Sequence, residues 1–197
     1  KKDFPNFYQK LQDFKPKLEK RYQYNRKINY WAWTFMRSFN LFNTSKDRLF
    51  VPCKERISNK NHFRFAYVES GIFPTQDVTA IFKKDTVKES LYYILAILNN
   101  YRVFEWLKYN GVVKGSILEF SEKPIASIPF RAIDWQNENE IQLHNKVSQL
   151  CKDYITNQSD ELLKQLNQDI DTLFKPHRRR ANFILTKFVK PFEKYII

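Results

Sequence analysis

Apolar positions near the start of the chain recur at helical spacing. Phe7, Tyr8, Leu11, Phe14 and Leu18 predict a helix from residue 4 to about 24, with Pro16 marking a kink or a break between two short helices. Residues 25 to 47 keep no period and read as a long ordered loop with short extended pieces. Three strands are predicted next, over residues 48 to 53, 62 to 68 and 77 to 82. The second is the clearest, because Phe63, Phe65 and Tyr67 alternate with His62, Arg64 and Ala66 and so share one sheet face. The polar, basic residues 54 to 61 suit a hairpin loop joining the first two strands, and Ser70-Gly71 a turn after the second.

Thr86 and Glu89 stand at capping-box spacing and predict a long helix. Leu91, Ile94, Leu95, Leu98, Tyr101, Phe104 and Leu107 carry it to a stop at Asn110-Gly111. Beyond it, Lys114-Gly115-Ser116 form a loop leading into a short strand, and two prolines hold residues 124 to 131 extended. Helices follow at 137 to 155 and 159 to 174, then the basic cluster His177-Arg178-Arg179-Arg180 and an amphipathic terminal stretch. No internal repeat occurs. The expected fold is α+β, short antiparallel strands framed by helices. Residues 1 to 155 form the main domain, and residues 156 to 197 a helical extension with a basic tail.

At 197 residues and 43% hydrophobic content the chain can bury one substantial core. Charge narrows the partner: 34 Lys and Arg against 21 Asp and Glu give +13, which favours a polyanion such as nucleic acid. The 18 Phe, 11 Tyr and 4 Trp supply planar groups as well, most of them expected in the core. Cys53 and Cys151 have no His or Cys at metal-ligand spacing and read as buried free thiols in a reducing cytoplasm. The longest apolar run, residues 91 to 98, is too short to span a bilayer, so no membrane partner is expected. The chain opens on Lys1 rather than Met with a helix close behind, which reads as a fragment trimmed at a domain boundary.

Catalytic constellations are missing from the sequence. Gly71, Gly111 and Gly115 are too few for a phosphate-cradling loop. His62, His144 and His177 are scattered, and no Ser or Cys sits in a nucleophile elbow. Asp134 and Glu138 suit capping and the helix dipole better than acid-base work. Catalysis and metal binding are therefore not expected within these residues.

Several segments, in order, resemble the C-terminal specificity domain of TaqI-like adenine methyltransferases, a group that includes fused type IIG restriction enzymes. These are Phe4-Pro5 with Leu11, Leu18-Glu19 and Lys20-Arg21; Tyr30-Trp31-Ala32-Trp33; Leu49-Phe50-Val51-Pro52; and residues 63 to 71. They continue with residues 91 to 99, LYYILAILN, then Gly115-Ser116-Ile117, and Lys123-Pro124-Ile125 through Ile128-Pro129. The likeness covers residues 4 to 155. It implies a domain that reads a short sequence in double-stranded DNA, while a separate N-terminal domain binds S-adenosylmethionine, flips out an adenine and methylates it through an Asn-Pro-Pro-aromatic loop. No such loop occurs in this chain, so no cofactor is expected here. Residues 156 to 197 have no counterpart in the resemblance.

Candidate DNA contacts follow from loops rich in Arg, Lys and Asn, which hold phosphates and reach base edges. Arg26, Lys27 and Arg37 lie in the loop after the first helix, where a solvated surface is the competing reading. Lys54, Arg56, Lys60 and Asn61 form a basic hairpin suited to the major groove, and Lys114, Gly115 and Ser116 a turn whose glycine admits a phosphate or merely caps a helix. Of Trp31 and Trp33 at least one is expected in the core, and the Arg178 to Arg180 run reads equally as a solvated tail. Two other classes remain open: a specificity-subunit-like or RNA-binding module without a methyltransferase, and a structural partner-binding domain.

Overall fold

A computed structural model describes residues 2–34, 38–74, 77–175 and 189–196. Contacts group them into two compact units, Lys1–Asn43 and Thr44–Ile197. In the first, α1 (Pro5–Glu19) is a single helix that continues through Pro16. Pro5 at its N-terminus lacks an N–H that the first turn leaves unbonded anyway. A one-turn helix, α2 (Phe39–Phe42), ends the loop that follows; four residues are too few to leave a periodic signal. Tyr30 is buried here, but Trp31 and Trp33 are both exposed, contrary to the expectation that one fills a core. A helix and a loop enclose too little volume for more.

In the second unit, β1 (Arg48–Pro52), β2 (Lys54–Arg56), β3 (Ala66–Val68) and β4 (Val78–Ile81) fall into separate sheets. β1 is the middle strand of an antiparallel sheet ordered β3-β1-β4, with Leu49 opposite both Tyr67 and Ile81. The aromatic alternation holds over residues 62 to 65, since Phe63 and Phe65 are buried and Arg64 exposed, but ladder pairing starts only at Ala66. β2 leaves that sheet and pairs elsewhere, so the expected hairpin between the first two strands does not form, and residues 57 to 65 instead connect two different sheets.

Helices α3 (Leu91–Leu98) and α4 (Tyr101–Asn110) replace the single long helix expected. The interruption is local chemistry: Asn100 takes extended φ/ψ and its side chain accepts from the Arg102 N–H at 3.1 Å, which caps a new helix. Ser90, not the Thr86-Glu89 box, caps α3 by accepting from the Tyr93 N–H at 3.0 Å. Glu89 is instead buried and accepts from the Ile133 N–H. Residues Tyr93 through Leu98 are all buried, so α3 is the central post of the core.

After α4 come β5 (Val112–Lys114) and β6 (Ile117–Glu119), then α5 (Glu122–Ala126) and β7 (Pro129–Arg131). α5 occupies part of the stretch expected to be extended, because Pro124 sits in its first turn, where no N–H partner is needed. α6 (Glu138–Thr156) and α7 (Asp160–Phe174) match their predicted spans, capped by Asn137 and Ser159. Strand β8 (Val189–Pro191) pairs antiparallel with β7 and leads into a 3-10 turn whose Phe192 is fully buried. Thus α7 and β8, beyond residue 155, lie in the same compact unit as α3 to α6. The architecture is α+β, as the pattern of elements predicts. Among the described residues no helix is long and apolar enough to cross a membrane.

Arg131 ties the helical layer to the strands. Its guanidinium is buried, donates to Glu140 Oε1 at 2.8 Å and to the Leu173 carbonyl at 3.1 Å, and also bonds the Ala132 carbonyl. A charge this deep needs every donor matched, and the carbonyls beside the carboxylate supply that.

Candidate nucleic-acid interface

Strand β2 pairs with β6, and β6 with β5, giving a second antiparallel sheet ordered β2-β6-β5. Its register decides which side chains share a face, because neighbours along a strand alternate. Lys54 is opposite Glu119 and Arg56 opposite Ile117, while Val112 and Lys114 face the same two residues from the other side. One face therefore carries Lys54, Arg56 and Lys114 with Val112, Ile117 and Glu119. The other carries Glu55, Leu118 and Val113.

The two faces differ in burial along β2 and β6 but not along β5. Leu118 and Glu55 are buried while Val113 beside them is 49% exposed, and on the opposite face Lys54, Arg56 and Lys114 are exposed, as are Val112 at 57% and Ile117 at 36%. The outward face thus sets three cations and the Glu119 carboxylate around Val112 and Ile117, drawn from segments about sixty residues apart in sequence. Lys54 stands 3.7 Å from Asp77 and Lys114 2.7 Å from Glu119. The Arg56 side chain makes no ion pair or hydrogen bond among the described residues, so its guanidinium is available to a ligand. A shallow cleft of about 360 Å³ opens at the margin, lined by Lys54, Asp77, Val112 and Glu119 among others.

Gly115 and Ser116 are the two central residues of the β5–β6 hairpin, closed by the Lys114–Ile117 pair. Gly115 has φ +59°, the left-handed value a two-residue hairpin turn requires at its first position, and nothing lies within 4 Å of where a Cβ would be. It is a tip exposed to solvent rather than a helix cap. The residue that receives α4 is Gly111, where a Cβ would meet Leu118 at 2.8 Å. The other expected glycine loop, at Gly71, is likewise an open turn with φ +84°.

Other candidates sit elsewhere. Lys60 turns inward and binds Glu55 Oε1 at 2.7 Å, where Arg64 Nε joins it at 3.2 Å. Asn61 is exposed in the loop, its Oδ1 2.9 Å from His62 Nδ1. Arg26 and Lys27 are exposed in the first unit, Arg26 donating to the Thr34 carbonyl. Arg37 and the 177 to 180 cluster lie outside the described residues. Sequence reading missed Val112 and Ile117; with β2 assigned to a loop, nothing marked their strands as one surface.

His144 is buried between Tyr93 and Trp135, and its Nε2 accepts the Ser90 N–H at 3.1 Å. Both cysteines are free thiols; Cys151 is buried, but Cys53 is only half-buried, at the end of β1. Among the described residues no group of His, Cys, Asp and Glu is placed to hold a metal ion.

No family model matches the chain. It is similar to the type II methyltransferases M.HindII and M.HincII of Haemophilus influenzae, being 50% and 49% identical over 170 residues, or 86% of this chain. A more distant likeness, 26% over 174 residues, is to the type II methyltransferase M.MjaIV of Methanocaldococcus jannaschii. The chain spans 33% and 34% of the lengths of the first two relatives and 54% of the third. Its relatives are therefore type II methyltransferases, matched over only part of their length.

Proposed function

We propose that this chain is the DNA target-recognition domain of a restriction-modification adenine methyltransferase, TaqI-like in organisation, and that the outward face of the β2-β6-β5 sheet meets double-stranded DNA. The observation that carries the reading is the convergence of Lys54, Arg56 and Lys114 on one exposed sheet face, with Arg56 unengaged. Cations on such a face neutralise phosphates, and an arginine free of partners can fork onto guanine O6 and N7. The Gly115-Ser116 tip, with open space around its backbone, adds a place for a phosphate to approach. Asn61, Arg26, Lys27 and Arg37 remain further candidate contacts.

Methyl transfer and S-adenosylmethionine belong, on this reading, to another domain of a longer polypeptide. What supports placing the cofactor elsewhere is that Gly71 and Gly115 form open turns and Gly111 packs against Leu118, leaving these glycines apart from one another in role. No step of methyl transfer is assigned to these residues. The test is a fluorescence-anisotropy titration of the 197-residue chain with duplex DNA across salt concentrations. Weak binding that falls steeply as salt rises is expected, since counterion release dominates non-specific contact. A salt-independent isotherm, or stoichiometric heat on adding S-adenosylmethionine, contradicts the reading.

A further inference from the structure

Phe4, Phe7, Leu11, Phe14 and Leu18 follow one another at spacings of three, four, three and four residues. Within α1 the last four of these keep the a/d spacing of a helix that packs along another helix and share one narrow stripe, with Phe4 just ahead of them at the N-cap. In the structure the stripe is covered only in part: Phe4 is 71% exposed, Phe7 72% and Phe14 47%, while Leu11 and Leu18 are half-buried and no residue of α1 is fully buried. Tyr30, held by a hydrogen bond from Gln12, and Trp31 line a groove with Phe4, Phe7 and Leu11.

The helix also has little intrinsic support. It lacks a side-chain cap and acidic residues in its first turn, and Pro16 removes one internal hydrogen bond. At 15 residues such a segment is marginal without tertiary packing. The stripe itself bears no charge, which disfavours a phosphate backbone as its occupant and favours an apolar protein surface.

We infer that this stripe of α1 docks on a helix of the polypeptide that makes up the remaining two-thirds of a methyltransferase such as M.HindII. The inference rests on the proposed function for the existence of that polypeptide, and it names the surface through which the reading domain is held. Its occupant is a helix with its own apolar a/d seam, so that the contact is knob-into-hole packing.

Hydrogen exchange tests it, comparing the 197-residue chain with the complete polypeptide of the gene that encodes it. Amides of α1 are expected to exchange freely in the chain and to be protected on the order of 100-fold in the complete protein. Phe7→Ser with Phe14→Ser should abolish that protection while leaving α6 amides unchanged, because neither side chain is buried in the chain itself. Equal exchange in both proteins overturns the inference, as does a gene encoding no further polypeptide. Protection that appears only with duplex DNA present assigns the stripe to nucleic acid and overturns it too. Salt-dependent DNA binding measured on the same preparations separates this failure from failure of the proposed function.

Discussion

The side-chain amide of Asn99 closes a two-bond pair with the backbone of Phe65: its Oδ1 accepts the Phe65 N–H at 2.9 Å and its Nδ2 donates to the Phe65 carbonyl at 2.9 Å. A side chain thus substitutes for a neighbouring strand just before β3 begins, and it does so from the point where α3 ends. Phe65 can then stack on Phe63 in the core at 5.1 Å without orphaned backbone groups. Asn99→Ala should lower unfolding stability by about 2 to 3 kcal/mol, because two half-buried groups lose their partner. Urea denaturation reads this as a lower midpoint at unchanged slope. A loss under about 0.5 kcal/mol would mean that water replaces the amide at no cost.

Lys60 and Arg56, four residues apart in the basic segment, should behave oppositely. Lys60 neutralises the buried Glu55 carboxylate, so Lys60→Ala is expected to cost about 1 to 2 kcal/mol of stability, less than a fully buried pair because Arg64 remains and Lys60 is partly solvated. Its effect on DNA affinity should be small. Arg56→Ala should leave stability unchanged and, on the proposed reading, weaken DNA binding of the complete polypeptide by about 1 to 3 kcal/mol, loosening preference at one base pair. Parallel thermal melts and binding titrations of the two variants decide the matter, and the reverse assignment of effects refutes it.

Much of the fold was legible in the chain. The last two long helices carry their caps, Asn137 and Ser159, directly before an amphipathic run, and period and cap agree. Where sequence reading failed, a tertiary partner decided the outcome. Three residues, Lys54 to Arg56, look like polar loop until β6, more than sixty residues away, supplies their hydrogen bonds. The break at Asn99-Asn100 is hidden within a continuous apolar period. Of the site, the residue types were readable but their grouping was not: Lys54 and Arg56 join Lys114 only through the register of a strand pair that leaves no local pattern.

The thiols give a pH-dependent signature. Burial pushes the Cys151 thiol from its ordinary 9.0 up to about 12, and burial, with Glu89 nearby, pushes the Tyr195 phenol from 10.0 up to about 12. Both groups stay protonated in the folded chain at pH values where the unfolded chain has already released its protons. Stability is therefore full below about pH 9 and falls as pH rises from there towards 12. At pH 8 a thiol-reactive disulfide reagent should modify the half-buried Cys53 first and reach Cys151 only on unfolding. Equal rates for both thiols in the folded chain contradict this burial.

The central claim is that the outward face of the β2-β6-β5 sheet is the surface that meets DNA. Its most direct measurement compares two charge-matched variants of the chain in salt-dependent duplex binding. One is Arg56→Glu with Lys114→Glu on the sheet face. The other is Lys152→Glu with Lys164→Glu, two exposed lysines on α6 and α7. Both alter net charge equally, so long-range attraction falls by a similar amount in each. The sheet variant should in addition lose affinity at every salt concentration and lower the slope of log affinity against log salt by about 0.9 for each phosphate contact removed. The helix variant should keep the slope of the unaltered chain. Identical slopes and affinities for the two variants would contradict the assignment of DNA to this face.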